Sequence, residues 1–252
     1  MSTSRRPVAV VTGASSGIGA ATVRSLAAAG FDTVAAARRV ERCEALAAGV
    51  GGRAVQLDVT DDASVRALAD AVPEVDVVVH SAGGALGTDA VEDFDADGWR
   101  WMYEANVIGV ARVHRALLPA LRKRPGSESP GHVVVVGSQA GLQAYPGGGG
   151  YTAVKHGVHA LCRTLRLELL GEPVRVTEIA PGYVDTEFST VRLGDPEAAA
   201  AAVYRGMTPL TAEDVAEVIA FTVTRPAHVN VDHVLVRPLA QADAFHVHRE
   251  TM

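Results

Sequence analysis

A chain of 252 residues, 48% hydrophobic and 21% charged, is long enough to bury one large core and carries none of the compositional bias of a disordered or fibrous protein. Its net charge of −6, with no dominant basic stripe, argues against a nucleic-acid partner. Two cysteines, Cys43 and Cys162, stand in no metal-type spacing, which argues against a disulfide framework or a zinc site and fits a reducing, cytoplasmic setting; no apolar run approaches the roughly 18 residues of a membrane span, and Met1 to Pro7 does not read as a signal peptide.

Taken in chain order, short β-branched runs alternate with helical patterns. A strand is predicted over Val8–Val11, followed at once by Thr12-Gly13-Ala14-Ser15-Ser16-Gly17-Ile18-Gly19, which opens a helix over Gly17–Ala29. Glycines at that point permit a sharp turn and let backbone approach a pyrophosphate at a helix N-terminus, with Ser15 and Ser16 as added donors. A strand over Thr33–Ala37 ends in Arg38 and Arg39. An acid there would grip a ribose 2′-hydroxyl, whereas two guanidiniums suit a 2′-phosphate, so the expected cofactor is NADP(H). The alternative for Arg39 is pairing with Glu41 or Glu44 on the next helix, Val40–Ala48. A third strand, Ala54–Leu57, leads into Asp58-Val59-Thr60, where a carboxylate can accept the adenine amino group or cap the helix Ala63–Ala71. The fourth strand, Val75–His80, runs into Ser81-Ala82-Gly83, small enough to admit a cofactor.

One long helix is predicted over Trp99–Arg122, then a strand His132–Val136, a helix Thr152–Leu170, a strand Val174–Ala180, helices Pro196–Arg205 and Ala212–Val223, and a last strand His233–Arg237. Apolar strands without alternation, as at Val133–Val136, imply burial on both faces. The order predicts a single α/β domain spanning 1–252, a doubly wound parallel sheet of about seven strands with helices on both faces.

Tyr151 and Lys155 sit at i and i+4 on the predicted helix and share a face. A phenol has a reference pKa of about 10, and bringing it to 7 takes about 4 kcal/mol. One cation at about 4 Å supplies about 1 kcal/mol in water and about 4 near a shielded surface, so the pair makes chemical sense in a cleft with a second positive charge. His156 and His159 lie three apart on the same helix with no acid or cysteine partner evident in the sequence, and no metal site is expected.

In combination, TGASSGIG at 12–19, DVT at 58–60, NVIG at 106–109, Ser138, YTAVK at 151–155 and PGYVDT at 181–186 resemble the short-chain dehydrogenase/reductase family over nearly the whole length. The resemblance implies a Rossmann-type NADP(H) oxidoreductase with Tyr151 as general acid or base. Lys155 would lower the tyrosine pKa and hold the nicotinamide ribose, Ser138 would bond the substrate oxygen, and Asn106 would hold a relay water. Pro181, Gly182, Val184 and Thr186 would hold the nicotinamide. One departure is His80-Ser81 where the family usually has two asparagines; the reading of His80 is structural rather than catalytic.

Thr186 to Arg192, LTAEDVAEVIAF at 210–221, PAHVNV at 226–231 and Arg237-Pro238 resemble the NADP-dependent 3-hydroxy acid and serine dehydrogenases in particular. That implies a small 3-hydroxy acid substrate, a mobile substrate loop near 186–210 and a homotetramer or homodimer. Arg192 is the candidate carboxylate partner, its alternative being a surface pair with Asp195, and Gln143, Tyr145 and Tyr183 are the expected pocket walls. Neighbouring activities are an aldehyde or ketone reductase of secondary metabolism and a 3-oxoacyl-thioester reductase, the latter disfavoured by Arg237-Pro238-Leu239. A non-catalytic NADP sensor is a reading from another class, opposed by the presence of Asn106, Ser138, Tyr151 and Lys155 together.

Overall fold

The computed structural model describes residues 5–122, 129–194 and 203–250. Seven strands, β1 Val8–Thr12, β2 Asp32–Ala37, β3 Arg53–Gln56, β4 Val77–His80, β5 Gly131–Val136, β6 Val174–Pro181 and β7 His233–Val236, form one sheet in the order β3-β2-β1-β4-β5-β6-β7. Every pairing is parallel. The order reverses between β1 and β4, which puts a crevice at the carboxyl ends of those strands. Val133 and Val134 are both fully buried, because consecutive side chains point to opposite faces and both faces are covered.

Helices α3 Asp62–Ala71, α4 Ala96–Tyr103, α5 Gly109–Arg122 and α6 Gly149–Glu168 cover one face, where Leu68, Met102, Leu117, Leu121, Val158 and Leu165 pack on Val78, Val133 and Val176. Helices α1 Gly17–Ala28, α2 Val40–Val50 and α8 Ala212–Val223 contribute Leu26, Cys43 and Ile219 to the other face, against Ala9, Val11, Val134 and Ile179. A short helix, α7 Glu187–Leu193, lies between β6 and α8 in the chain. Each large apolar side chain so buried contributes about 1.5–3 kcal/mol.

The long helix predicted over 99–122 is interrupted. One wide π-type turn, Glu104–Ile108, separates α4 from α5. Apolar periodicity runs through the break and hides it, while Asn106 within the turn takes up backbone groups that a regular helix would use. Helix α6 starts earlier than its periodicity suggests, at Gly149. A β-carbon at Gly149 or Gly150 would strike the Trp99 ring, so these glycines let α4 pack close against the start of α6. The helix predicted at Pro196–Arg205 lies, for 196–202, outside the described residues. The short α7 was not predicted; Thr186 caps its start by accepting from the Phe188 N–H, and Gly194 ends it with φ 73°.

Candidate active site

A cleft of about 910 Å³ opens along the carboxyl ends of β1, β2, β4, β5 and β6. Its floor at one end is the glycine turn. Gly13 has φ 69°, and a β-carbon there would stand 2.7 Å from the Ala82 nitrogen. Gly19 does not line the cleft: a β-carbon on it would overlap the Gly13 carbonyl, so its role is to pack the turn rather than to touch a ligand. Ser16 stands at the N-cap of helix α1, its side chain making no capping hydrogen bond, and the first turn carries no acid. Free N–H groups at the positive end of a 12-residue helix are the donors a pyrophosphate needs. Gly13, Ser15, Ser16, Gly17 and Ile18 line the cleft.

Arg38 is exposed in the cleft wall and acts on Asp58 through space. Arg39 pairs with neither acid of the following helix. Its guanidinium donates to the Ser15 hydroxyl at 3.0 Å, to the Ser16 hydroxyl at 2.9 Å and to Glu187 on α7 at 3.0 Å, and Arg42 reaches the same carboxylate at 2.8 Å. Burial pushes the Asp58 carboxyl up, but hydrogen bonds from the Thr60 hydroxyl and N–H, with Arg38 and Arg112, outweigh it and hold the group below its ordinary value. Asp61 caps α3, which leaves Asp58 free of that duty.

Between β1 and β4, the Thr12 hydroxyl accepts from the Ser81 and Ala82 N–H groups at 3.1 Å each. This ties the two strands at the point where His80-Ser81 replaces the usual asparagine pair. His80 itself is buried, and burial followed by repulsion from His114 pushes its pKa down to about 3. It is the last residue of β4. Val59, Ser81, Ala82 and Gly83 all face the cleft.

Asn106, 2% exposed, donates to the Gly84 carbonyl at 3.0 Å and the Met102 carbonyl at 2.7 Å, while its Oδ1 has no protein partner among the described residues. Gly83 must lack a β-carbon because that oxygen occupies the space. A buried, unsatisfied acceptor lining the cleft is a place for a water.

Ser138 follows β5 and accepts from the Ala140 N–H at 3.1 Å. Tyr151 is buried on α6, and burial pushes its phenol up to about 12; a hydrogen bond with Ser138 and the charge of Arg192 pull against that rise, while Tyr145 adds to it. Lys155 donates to the Val136 carbonyl at 3.1 Å, with Nζ 5.8 Å from the centre of the Tyr151 ring. Burial pulls its pKa down to about 8, opposed by Glu178 and Cys162. The expected lowering of the phenol by Lys155 is not seen, since Lys155 is not among the groups that shift it; the expected source of a second charge is the oxidised nicotinamide, and the structure adds Arg192, whose guanidinium carbon lies 5.4 Å from the Tyr151 ring centre.

Arg192 is turned into the cleft. It donates to the Gly87 carbonyl at 3.1 Å, the Tyr145 hydroxyl at 3.0 Å and the Gly147 carbonyl at 3.3 Å, while Asp195 lies outside the described residues. Tyr145 and Tyr183 line the cleft as expected. Gln143 does not: its carbonyl oxygen accepts from the Ala244 N–H at 2.9 Å and pins the C-terminal segment instead. Pro181, Gly182, Val184 and Thr186 line the wall beside Tyr183.

Three residues were missed. Phe188 sits with its ring centre 5.5 Å from that of Tyr151. Gln241 accepts from the Tyr183 N–H at 3.0 Å and excludes any side chain at Gly182. Glu187 joins α7 to Arg39 and Arg42. His159, read from the sequence without an acid partner, has one: its Nδ1 lies 2.6 Å from Glu178 of β6.

Comparison with known proteins places these features in a wider set. The family model described as short chain dehydrogenase matches residues 7–195. An oxidoreductase of Mycobacterium tuberculosis (strain H37Rv), named as uncharacterized, is 58% identical over 240 residues, covering 95% of this chain and 94% of its own. Sulfoacetaldehyde reductase 2 of Chromohalobacter salexigens is 41% identical, covering 96% and 99%. The solved closed form of serine dehydrogenase complexed with NADP+ superposes with a TM-score of 0.89 at 35% identity, covering 96% of this chain and 100% of that one.

Proposed function

The chain belongs to the short chain dehydrogenase family, and from that premise we propose an NADP(H)-dependent oxidoreductase whose substrate is a small carbonyl or alcohol carrying an anion, of the 3-hydroxy acid type. The observation that carries the substrate class is Arg192, a guanidinium turned into the cleft beside Tyr145 and Tyr151. The named relatives support it: serine and sulfoacetaldehyde both place an anion one carbon from the reacting carbon. A single cation near Tyr151 suits either.

The glycine turn, the uncapped start of α1 and Arg38 fit a dinucleotide bearing a 2′-phosphate. When bound, the nicotinamide supplies or accepts the hydride. Ser138 and Tyr151 hold the substrate oxygen between two hydroxyls. With its pKa near 12, Tyr151 keeps its proton through neutral pH, the form that donates to a carbonyl oxygen as charge develops there. Lys155 and the water place at Asn106 continue the proton path from Tyr151, and Phe188 and Tyr183 shield the site from bulk water.

The test is steady-state turnover of L-serine, 3-hydroxypropionate, sulfoacetaldehyde and a neutral short aldehyde, with NADP(H) and with NAD(H). The anionic compounds should lead in kcat/KM with NADP(H), and Arg192→Ala should remove roughly 10–100-fold of that lead, the size of one charge-assisted contact. Arg38→Asp should weaken NADP far more than NAD. Equal turnover of neutral and anionic compounds would instead favour an aldehyde or ketone reductase of secondary metabolism.

The same reading carries a cytoplasmic homotetramer or homodimer. Leu167, Leu170 and Phe221 are exposed apolar side chains that self-association would cover, and no helix among the described residues is long and apolar enough to cross a membrane. Light scattering on the purified protein should return two or four times the 26.2 kDa chain mass, and a monomer would refute it.

A further inference from the structure

Behind α6, outside the cleft, three side chains from three elements converge. Glu178 of β6 is fully buried, His159 comes from α6, and His233 opens the edge strand β7. His159 Nδ1 is 2.6 Å from Glu178 Oε2, His233 Nε2 is 4.0 Å from the same oxygen, and the three donor atoms lie within 4.8 Å of one another. Two buried atoms of the group, His233 Nε2 and Glu178 Oε1, have no hydrogen-bond partner among the described residues. The hydrogen bond between His159 and Glu178 therefore leaves the cluster incompletely satisfied, which is costly for atoms removed from water.

We propose that His159, Glu178 and His233 form a binding site for a zinc-class divalent cation that clamps β7 to β6 and α6. Two imidazoles and a carboxylate are an established zinc donor set, and zinc bonds of about 2.1 Å in a tetrahedron set ligand atoms about 3.4 Å apart. The observed 2.6 and 4.0 Å bracket that spacing and the third separation is at most 4.8 Å, so side-chain adjustments of about an ångström complete it. The ion would replace the proton now shared by His159 and Glu178 and would satisfy the orphaned His233 nitrogen. The side chains of His159 and His233 are about a quarter exposed, which leaves a path for the ion and a place for a water as fourth ligand. The location has a mechanical logic. β7 is a four-residue edge strand with no fully buried side chain, held by its ladder to β6. Arg166 and Lys155 lie near enough to act on the group electrostatically, a repulsion that the buried Glu178 carboxylate offsets.

The experiment uses the full chain without a histidine tag, loaded with zinc, dialysed against metal-free buffer, and read by metal analysis and thermal melting. Wild type should retain about one zinc per chain and melt several degrees higher than after chelator treatment. His233→Ala and His159→Gln should lose both effects, while His228→Ala, at an exposed histidine elsewhere, should keep them. His233→Ala changes a partly exposed edge-strand residue and should leave the fold intact, which circular dichroism checks. Absence of retained zinc in the wild type, or equal retention in His233→Ala and His159→Gln, would overturn the proposal and leave the cluster as a hydrogen-bonded pair with a neighbouring imidazole.

Discussion

Tyr151→Phe should lower kcat/KM by about 10²–10⁴-fold while NADPH still binds. The substitution deletes one oxygen and nothing else. Phe keeps the ring packed against Phe188, whose centre lies 5.5 Å away, and keeps the surface that faces Arg192. What disappears is the proton donor and its hydrogen bond with Ser138, a loss of about 1 kcal/mol in stability against several in the transition state. Fluorescence titration of NADPH and steady-state turnover on one sample separate the two effects. Lost turnover with retained binding supports the acid–base role. Turnover that survives the substitution would refute it, and tight NADPH binding with no turnover in the wild type either would leave the catalytically silent sensor as the better reading. Ser138→Ala should follow the same pattern more weakly, since Tyr151 remains to hold the substrate oxygen.

The sheet and most of its helices are legible in the sequence because their signals are local. Uninterrupted valines at 133–136 announce a strand covered on both faces, and the glycine spacing after β1 announces the turn. The four residues expected to be catalytic come from the family resemblance, and the structure brings Asn106, Ser138, Tyr151 and Lys155 to the lining of one cleft. Signals fail where a contact is made across the topology. Arg39 has acids two and five residues on, yet it bonds Glu187, 148 residues away, because both stand at the carboxyl end of the sheet. Gln143 has the position of a wall residue, but the C-terminal segment offers it the Ala244 N–H. His159 finds Glu178 because α6 lies on the face of β6 that carries even-numbered side chains, a register that no local pattern prints. Gly19 shows the reverse error: its motif position suggests ligand contact, and its surroundings show a packing constraint on Gly13.

Lys155→Met should remove most of the activity and, at neutral pH, almost none of the stability. Two terms oppose each other. Burial lowers the Lys155 pKa from 10.5 to about 8, so holding its ammonium in the folded protein costs about 3 kcal/mol relative to the unfolded chain. Methionine relieves that cost, but it leaves the Val136 carbonyl without its donor, a loss of about 1–3 kcal/mol. The pH dependence separates them. Between pH 8 and 10.5 the unfolded lysine keeps its proton and the folded one releases it, so the unfolded state binds more protons and this group makes the wild type more stable as pH rises. Two other buried groups act in the opposite sense. Cys162, raised from 9.0 to about 12, and Tyr151, raised from 10.0 to about 12, stay protonated in the folded state and lower its stability above their unfolded values. Both are present in wild type and variant alike, so the difference between the two denaturation curves reads Lys155 together with its coupling to Cys162. That difference should be small at pH 7 and grow by roughly 3 kcal/mol in favour of the wild type by about pH 10.5. Urea melts at four or five pH values measure it. A difference independent of pH would mean that Lys155 titrates near its ordinary value in the folded protein. Its ammonium would then be far better solvated than its burial against Val136 and Tyr151 implies.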